Sequence, residues 1–509
     1  MKKNLALLIL PIVLFCVTFL FRNNQFYYDP SYIYLFNGLN LAYYYGEVGH
    51  YDNPGTPVII ITSILIKLIY FFRHTQLNLL KDVLLNPNVY LSYIVNTLNI
   101  INCLLFFLLG VYVYRVFKSL SWALFFQLIP FFSQSIMLLC FYSLSPEAIL
   151  LPVSIIFLIL LIHLGYLGKD MGNVNLSYTK KDSAVSLLIL KLNSIVISFL
   201  VGLFIAIKLT AIPYIIVMIL FIKKWKDIIG MGVFLAASFL LFTLPIYQHY
   251  GKLFNWIKNL FFHSGQYGTG NEEIININNF KETFFQFIQT DTLIFVSILC
   301  SLVAILFGIL KPSKLSSNNF KLLLILFLYQ ISIVLIVFKH YDSHYFVSAY
   351  AMVVFSVFLS FDILEIKSEV VISICVLIAL VYSFTVVEKV YYSKSELKFS
   401  GYQKAESPND QLTIYSYSCR SQLYALDFGN MYSNRKNTTQ LKELYSDHYF
   451  YNQWGQYFYS WSSNKIDTDS LKRINKTLVL NVREDYIKGR MEGFSVQKIS
   501  KDRFIINLK

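Results

Sequence analysis

The chain has 509 residues, of which 56% are hydrophobic and only 14% charged, and its mean hydropathy is +0.54. That composition excludes an ordinary soluble protein and points to a polytopic membrane chain. A formal net charge of +14 would suggest nucleic acid in a soluble protein, but much of the excess sits in short loops such as Lys223-Lys224-Trp225-Lys226 and Lys311-Pro312-Ser313-Lys314. Cytoplasmic placement and anionic headgroups account for such loops without a nucleic-acid partner.

Met1-Lys2-Lys3 precedes an uncharged run over 4–21 with no small-residue cleavage site after it, so it reads as an uncleaved signal anchor. The two lysines hold the N-terminus in the cytoplasm and put the following loop outside. A short span is predicted over 57–72, ended by Arg73-His74. Residues 89–167 are nearly continuous apolar sequence holding three or four spans, punctuated by Arg115, Lys118, Pro130 and Ser145-Pro146-Glu147. A polar loop over 168–182 leads to an apolar region over 185–222, which contains Lys208, and then to a span over 228–247.

A second large loop occupies 248–290, with an amphipathic piece (Leu253, Trp256, Ile257, Leu260, Phe261) and a glycine-rich turn at 265–270. That turn lacks any P-loop lysine, so it reads as a substrate loop rather than a nucleotide site. Further spans are predicted near 291–310, 320–338, 345–362 and 369–387, about 12–13 in all at bilayer-crossing length. An even count returns the C-terminus to the cytoplasm and an odd count leaves it outside.

From about Glu388 the sequence becomes ordinary soluble sequence, with strands predicted over 412–418, 477–482 and 494–508 and helices over 441–451 and 469–474. The expected fold is therefore mainly α. It combines a membrane helical bundle over 1–390, juxtamembrane helices in a first loop over 22–56, and a small α/β domain over 391–509, of a size to have its own core. Of six cysteines, five lie in apolar runs and Cys419 stands alone in the polar tail. Their spacing indicates neither a disulfide framework nor a zinc site.

The first loop is the stretch richest in chemistry near the N-terminus. Asp29 can cap a helix with Pro30 at its first position. Tyr32, Phe36, Leu39 and Tyr43 then share one face, the pattern of a helix lying in the bilayer interface. Gly46, Gly49 and Asn53-Pro54-Gly55 break the chain, and Thr56-Pro57 restarts it.

Asp29-Pro30, the aromatic helix after it and Tyr51-Asp52-Asn53-Pro54-Gly55-Thr56-Pro57 before a span resemble the first extracytoplasmic loop of the GT-C glycosyltransferases. These are polytopic enzymes using polyprenyl-phosphate sugars, and they include the protein mannosyltransferases and the aminoarabinose transferases. The resemblance implies that Asp29 is the catalytic acid/base. It departs from the family at the second motif, often Asp-His-Pro-Pro, which here reads Asp52-Asn53-Pro54-Gly55 with only His50 nearby. Asp52 is a candidate to orient the acceptor or a divalent cation (Mg or Mn), against an equal reading as a turn former.

Lys208, with a Lys-Leu-Thr-Ala pattern similar to some GT-C members, is an intramembrane charge and by default a functional candidate. Its plain reading is a lysine snorkelling from a junction of two short spans. Lys339-His340-Tyr341-Asp342-Ser343-His344-Tyr345 suits a charge clamp on a lipid phosphate. His340 and His344 also have the i, i+4 spacing of a helical metal pair, and Tyr345 and Lys339 can be interface anchors. Glu147 at the mouth of a span matches several GT-C relatives, or is a helix-start carboxylate. The aromatic run from Tyr449 to Trp461 is either a sugar-stacking surface or core.

The resemblance implies an inverting glycosyltransferase of a cytoplasmic membrane, with its active site and the C-terminal domain over 391–509 both outside. Its partners would be a polyprenyl-phosphate sugar donor, membrane lipids and a glycan, lipid or protein acceptor. The rivals are a flippase or transporter for lipid-linked oligosaccharides and a polymerase-like ligase. A transporter should show inverted repeats and broken helices in matching halves, and the sequence shows neither.

Overall fold

A computed structural model of the chain describes residues 2–20, 28–46, 48–166, 180–222, 224–263, 272, 280–399, 411–417, 421–446, 448–452, 455, 457–462, 464–467, 470, 477–481, 495–500 and 503–507. The described residues are mainly helical, with one small sheet near the C-terminus. They form two compact units. The first takes Met1–Arg22, Tyr51–Val58 and Val95–Tyr391; the second takes Asn23–His50, Ile59–Ile94 and Tyr392–Lys509.

Among the described residues seven helices are long and apolar enough to cross a membrane: Thr56–Arg73, Pro87–Phe117, Pro146–Leu164, Trp225–Phe262, Thr292–Leu310, Asn318–Phe338 and Glu369–Ser393. Four shorter apolar helices, Leu5–Phe19, Asn193–Ile207, Leu209–Phe221 and Ala349–Ile363, accompany them. The expected 12–13 spans are thus not all present as continuous helices. The main difference lies within 89–167. There Pro87–Phe117 is one helix of 31 residues, and Leu120–Phe141 is broken into short α, 3-10 and π pieces. Pro130 stands in the 3-10 turn Ile129–Phe132, where the chain cannot continue a regular helix. The hydroxyls of Ser143 and Ser145 then donate to the carbonyls of Leu138 and Leu139, satisfying groups that a broken helix frees.

The second unit is built from both ends of the chain. Its sheet has the order β4-β3-β2-β1-β5-β7-β6, with β1 (Gln411–Ser416), β2 (Tyr449–Asn452), β3 (Tyr457–Ser460), β4 (Lys465–Ile466), β5 (Thr477–Asn481), β6 (Ser495–Ser500) and β7 (Arg503–Asn507). β1 pairs in parallel with β2 and β5, and all other pairs are antiparallel. The connection from β1 to β2 carries two helices, Gln422–Met431 and Thr438–Tyr445, as a parallel crossover requires.

The helix expected over 441–451 stops early. Ser446 takes a left-handed φ of 61°, and the chain enters β2, where Phe450 and Tyr451 pack on Tyr459 and Phe458 of β3 at 5.5 and 5.0 Å. Phe450, Tyr451, Phe458, Tyr459 and Trp461 are buried, so these aromatics are core and not an exposed stacking platform. Trp454 and most of the helix expected over 469–474 lie outside the described residues.

The first-loop helix also departs from expectation. A single wide turn, Tyr28–Tyr32, leads into a regular helix, Ile33–Tyr44, which ends where Tyr45 turns left-handed with φ 59°. Every residue from Ser31 to Asn40 is buried. The helix is therefore covered on all sides as far as Asn40 by the chain itself, whereas Tyr43 of the expected face is exposed. What sequence periodicity could not show is that its polar side is also occupied. Asn37 Nδ2 donates to the carbonyl of Tyr432 at 3.0 Å, Asn40 Nδ2 to that of Ser433 at 3.0 Å, and Asn437 Nδ2 to Asn40 Oδ1 at 2.9 Å. Asn37 Oδ1 accepts the backbone N–H groups of Gly49 and His50 at 2.8 and 3.2 Å.

Two glycines permit this approach. A Cβ on Gly429 would meet the carbonyl oxygen of Tyr32 at 2.8 Å, and one on Gly49 would meet Asn434 Oδ1 at 2.8 Å. The core of the sheet domain is thereby shared with residues nearly 400 positions earlier in the chain (|i−j| 393–397).

Candidate functional site

Lys208 lies where a helix is interrupted. The helix Lys180–Ile207 ends, Lys208 is extended with φ −157° and ψ 128°, and a 3-10 turn Leu209–Ala211 follows. The junction is the one expected, but the lysine does not snorkel from it. Only 2% of its side chain is exposed, and its Nζ is paired with the carboxylate of Glu147.

Glu147 stands in the first turn of Pro146–Leu161, where the helix dipole favours negative charge. Lys208 Nζ also lies 4.7 Å from the Tyr345 ring centroid, and His344 precedes Tyr345 in the same 3-10 turn. Four of the sequence candidates, Glu147, Lys208, His344 and Tyr345, are thus brought to one place in the first unit.

The turn that supplies His344 and Tyr345 is held by a carboxylate that the sequence reading did not single out. Asp291, fully buried just before the helix Thr292–Leu310, accepts hydrogen bonds from Tyr341 OH (2.6 Å), Ser343 Oγ (2.8 Å) and Tyr350 OH (2.8 Å). Burial pushes the Asp291 carboxyl up, while the three hydroxyls work to bring it down. Its sequence signal was an acid at the last position before an apolar run, together with two tyrosines and a serine within sixty residues. Nothing in a one-dimensional pattern joins them.

The same turn divides the expected phosphate clamp. Residues 339–342 are not helical and 343–346 form a 3-10 turn, so the i, i+4 argument for His340 and His344 as a metal pair does not apply. His344 Nδ1 instead lies 2.7 Å from Asp342 Oδ1. Burial works to raise the Asp342 carboxyl, but the hydrogen bond and charge of His344 outweigh it and hold it below the usual range. Lys339 Nζ donates to the backbone carbonyl of Phe261. Among the described residues no group of three or more His, Cys, Asp and Glu side chains is arranged to hold a metal ion.

Asp29 is exposed, with extended backbone (φ −105°, ψ 117°) ahead of the buried helix. His50 belongs to the packing of the second unit. Its ring lies 5.5 Å from that of Tyr34 and 6.2 Å from that of Tyr432, and desolvation pushes the imidazole down to about 4. It is therefore neutral near pH 7, a packed ring rather than a cationic ligand for phosphate.

Asp52, in the first unit, sits in the expected turn, with Asn53 and Gly55 left-handed at φ 54° and 59°. Burial raises its carboxyl. Its neighbour Tyr51 packs on the His249 ring at 5.7 Å, with Lys252 Nζ 5.9 Å away. The glycine-rich turn at 265–270 lies outside the described residues.

No family model, curated protein or solved structure matches this chain.

Proposed function

We propose that the chain is an integral-membrane inverting glycosyltransferase, moving a sugar from a polyprenyl-phosphate donor to an extracytoplasmic glycan, lipid or protein. The observation that carries this reading is Asp29: an exposed carboxylate at the head of a helix buried from Ser31 to Asn40. A general base needs that combination of open access and a fixed support.

The acceptor hydroxyl attacks the anomeric carbon and Asp29 takes its proton. The anomeric C–O bond to the phosphate breaks, and its electron pair leaves with the polyprenyl phosphate. Lys339 supplies the positive group for that leaving phosphate, with His340 beside it as a hydrogen-bond donor, while His344 on the same turn stays with Asp342. Asp52 orients the acceptor or a divalent cation. Lys208 and Glu147 act behind Tyr345 and His344 as a buried pair that sets where this turn sits. The hydrogen bonds joining Asn40 to Ser433 and Asn437 support one membrane side for the first loop and the C-terminal sheet. The N-terminal lysines favour the extracytoplasmic side for that loop.

The test is Asp29→Asn. Asn is as good a helix cap as Asp and nearly the same size, so the variant should express and melt like the wild type. The amide cannot take the acceptor's proton, and transfer from a lipid-linked sugar should fall by roughly 10²–10⁴-fold. Normal transfer by a normally folded variant would remove Asp29 from the chemistry.

A further inference from the structure

We propose that His263, His340 and Lys339 form a binding site for a phosphate-class anion where the helix Tyr250–Phe262 meets the turn at 339–342. The meeting point is direct: Lys339 Nζ donates to the carbonyl of Phe261, one residue before the helix ends. His263 follows the helix with extended backbone (φ −112°, ψ 148°), and His340 adjoins Lys339. The ring nitrogens His263 Nδ1 and His340 Nε2 are both buried and, among the described residues, make no hydrogen bond; the same is true of Trp256 Nε1, two turns earlier on that helix. Buried polar atoms are rarely left this way, and one explanation for an orphaned group is a ligand that completes it.

The chemistry of the group selects an anion over a metal. An ammonium and an indole N–H can only donate, and each imidazole can present an N–H. Glu272, whose backbone bridges to that of His263, is exposed, and Asp342 is engaged with His344. Desolvation lowers Lys339, and desolvation together with the Lys339 charge lowers His340, as expected of cationic groups without a counter-anion. A phosphate oxygen would take the Lys339 donor now given to a backbone carbonyl and the two orphaned imidazole nitrogens, in charge-assisted hydrogen bonds. Within the glycosyltransferase reading this adds His263, from the second large loop, to the leaving-phosphate site. The anion site itself does not depend on that reading.

The experiment measures binding to the full-length protein in detergent, by calorimetry and by melting temperature, with inorganic phosphate and dodecyl phosphate as probes. A ligand that binds only the folded protein raises its melting temperature. Dodecyl phosphate binding much more tightly than inorganic phosphate assigns the site to a membrane-borne lipid phosphate, and equal affinities assign it to the free ion; both support the site. His263→Gln, His340→Gln and Lys339→Gln should each weaken binding by about tenfold, the size of a lost hydrogen bond to a charged group. His74→Gln, an exposed histidine in the second unit, should not. Should a variant fail to fold, the wild-type protein still decides: stabilisation by neither phosphate, or by zinc alone, overturns the proposal. Intact phosphate binding with no glycosyl transfer would count against the enzyme reading and leave the anion site standing.

Discussion

Two buried networks, one in each unit, hold their polar groups in different ways. In the second unit the helix Ile33–Tyr44 is joined to the C-terminal residues by amides. Asn37 uses both its oxygen and its nitrogen, Asn40 and Asn437 bond to each other, Asn40 also donates to the Ser433 carbonyl, and Asn437 Oδ1 accepts from Tyr44 OH. In the first unit polarity is buried as charge: Lys208 against Glu147 between apolar helices, and Asp291 under three hydroxyls. A neutral network that is fully satisfied adds rigidity at little risk. A buried ion pair repays its desolvation only while both partners remain. The amide network is suited to fixing a fold, and the ion pair to fixing the one turn, 339–346, on which Lys339 and His340 sit.

The largest break in this contrast should come from Lys208→Met. It leaves the Glu147 carboxylate buried and unpaired, a loss of about 3–5 kcal/mol, read as a lower melting temperature in detergent. Adding Glu147→Leu should recover most of it, since a well-packed apolar pair can replace a buried ion pair. If the double variant is no better than the single one, the pair is not the unit of stability argued here.

The second unit also buries charge, at Asp82 beside Arg73 and at Asp427 beside Arg435, and the second of these sharpens the comparison. Asp427 is fully buried and accepts from Arg435 Nη1 at 3.1 Å and Tyr459 OH at 2.9 Å. Desolvation nevertheless pushes its carboxyl up to about 6, against the charge of Arg435 and both hydrogen bonds. A folded-state value above the unfolded one means that the folded protein holds this proton more tightly. Its contribution is therefore favourable below pH ~4 and is lost as pH rises from ~4 to ~6, by at most about 3 kcal/mol. Asp427→Asn should flatten that part of the stability–pH curve. An unchanged slope between pH ~4 and ~6 would place the titration elsewhere.

The smallest effect is expected from the neutral network. Asn437→Ala leaves Asn40 Oδ1 without the Asn437 donor, at a cost of about 2 kcal/mol. The cost should fall when Asn40→Ala is already present, leaving the smaller loss of the Tyr44 hydroxyl contact, the signature of a direct pair in a double-mutant cycle. Additive losses would show that each asparagine acts through other partners.

Local signals carried much of the secondary structure. The restart at Thr56-Pro57, the turn over Asn53-Pro54-Gly55, the helix break at Lys208 and the strands near 412, 477 and 495–507 follow from turn chemistry, hydropathy and alternation, and the structure has them. The pieces between 120 and 141 were not legible, because an apolar run looks the same whether a buried hydroxyl and Pro130 break it or not. The aromatic face of 32–43 was legible, but its burial was not. Asn37 and Asn40 carry no signal of their own in the sequence, because their partners at 432–437 lie nearly 400 positions away. Asp291 was invisible for the same reason.

By itself the sequence determined that this chain has helices long and apolar enough to cross a membrane and a mixed α/β tail, because hydropathy and turn-forming residues act over a few positions. It also supplied the list of ionisable residues set among apolar ones, whose cost in such surroundings marks them wherever they fall. Only the tertiary structure decided which of them meet. Lys208 finds Glu147 across 61 positions, and Asn40 finds Asn437 across 397. A buried charge or amide needs a partner of complementary geometry, and the chain can supply it from any distance in sequence. Nothing local records which distance the fold selects.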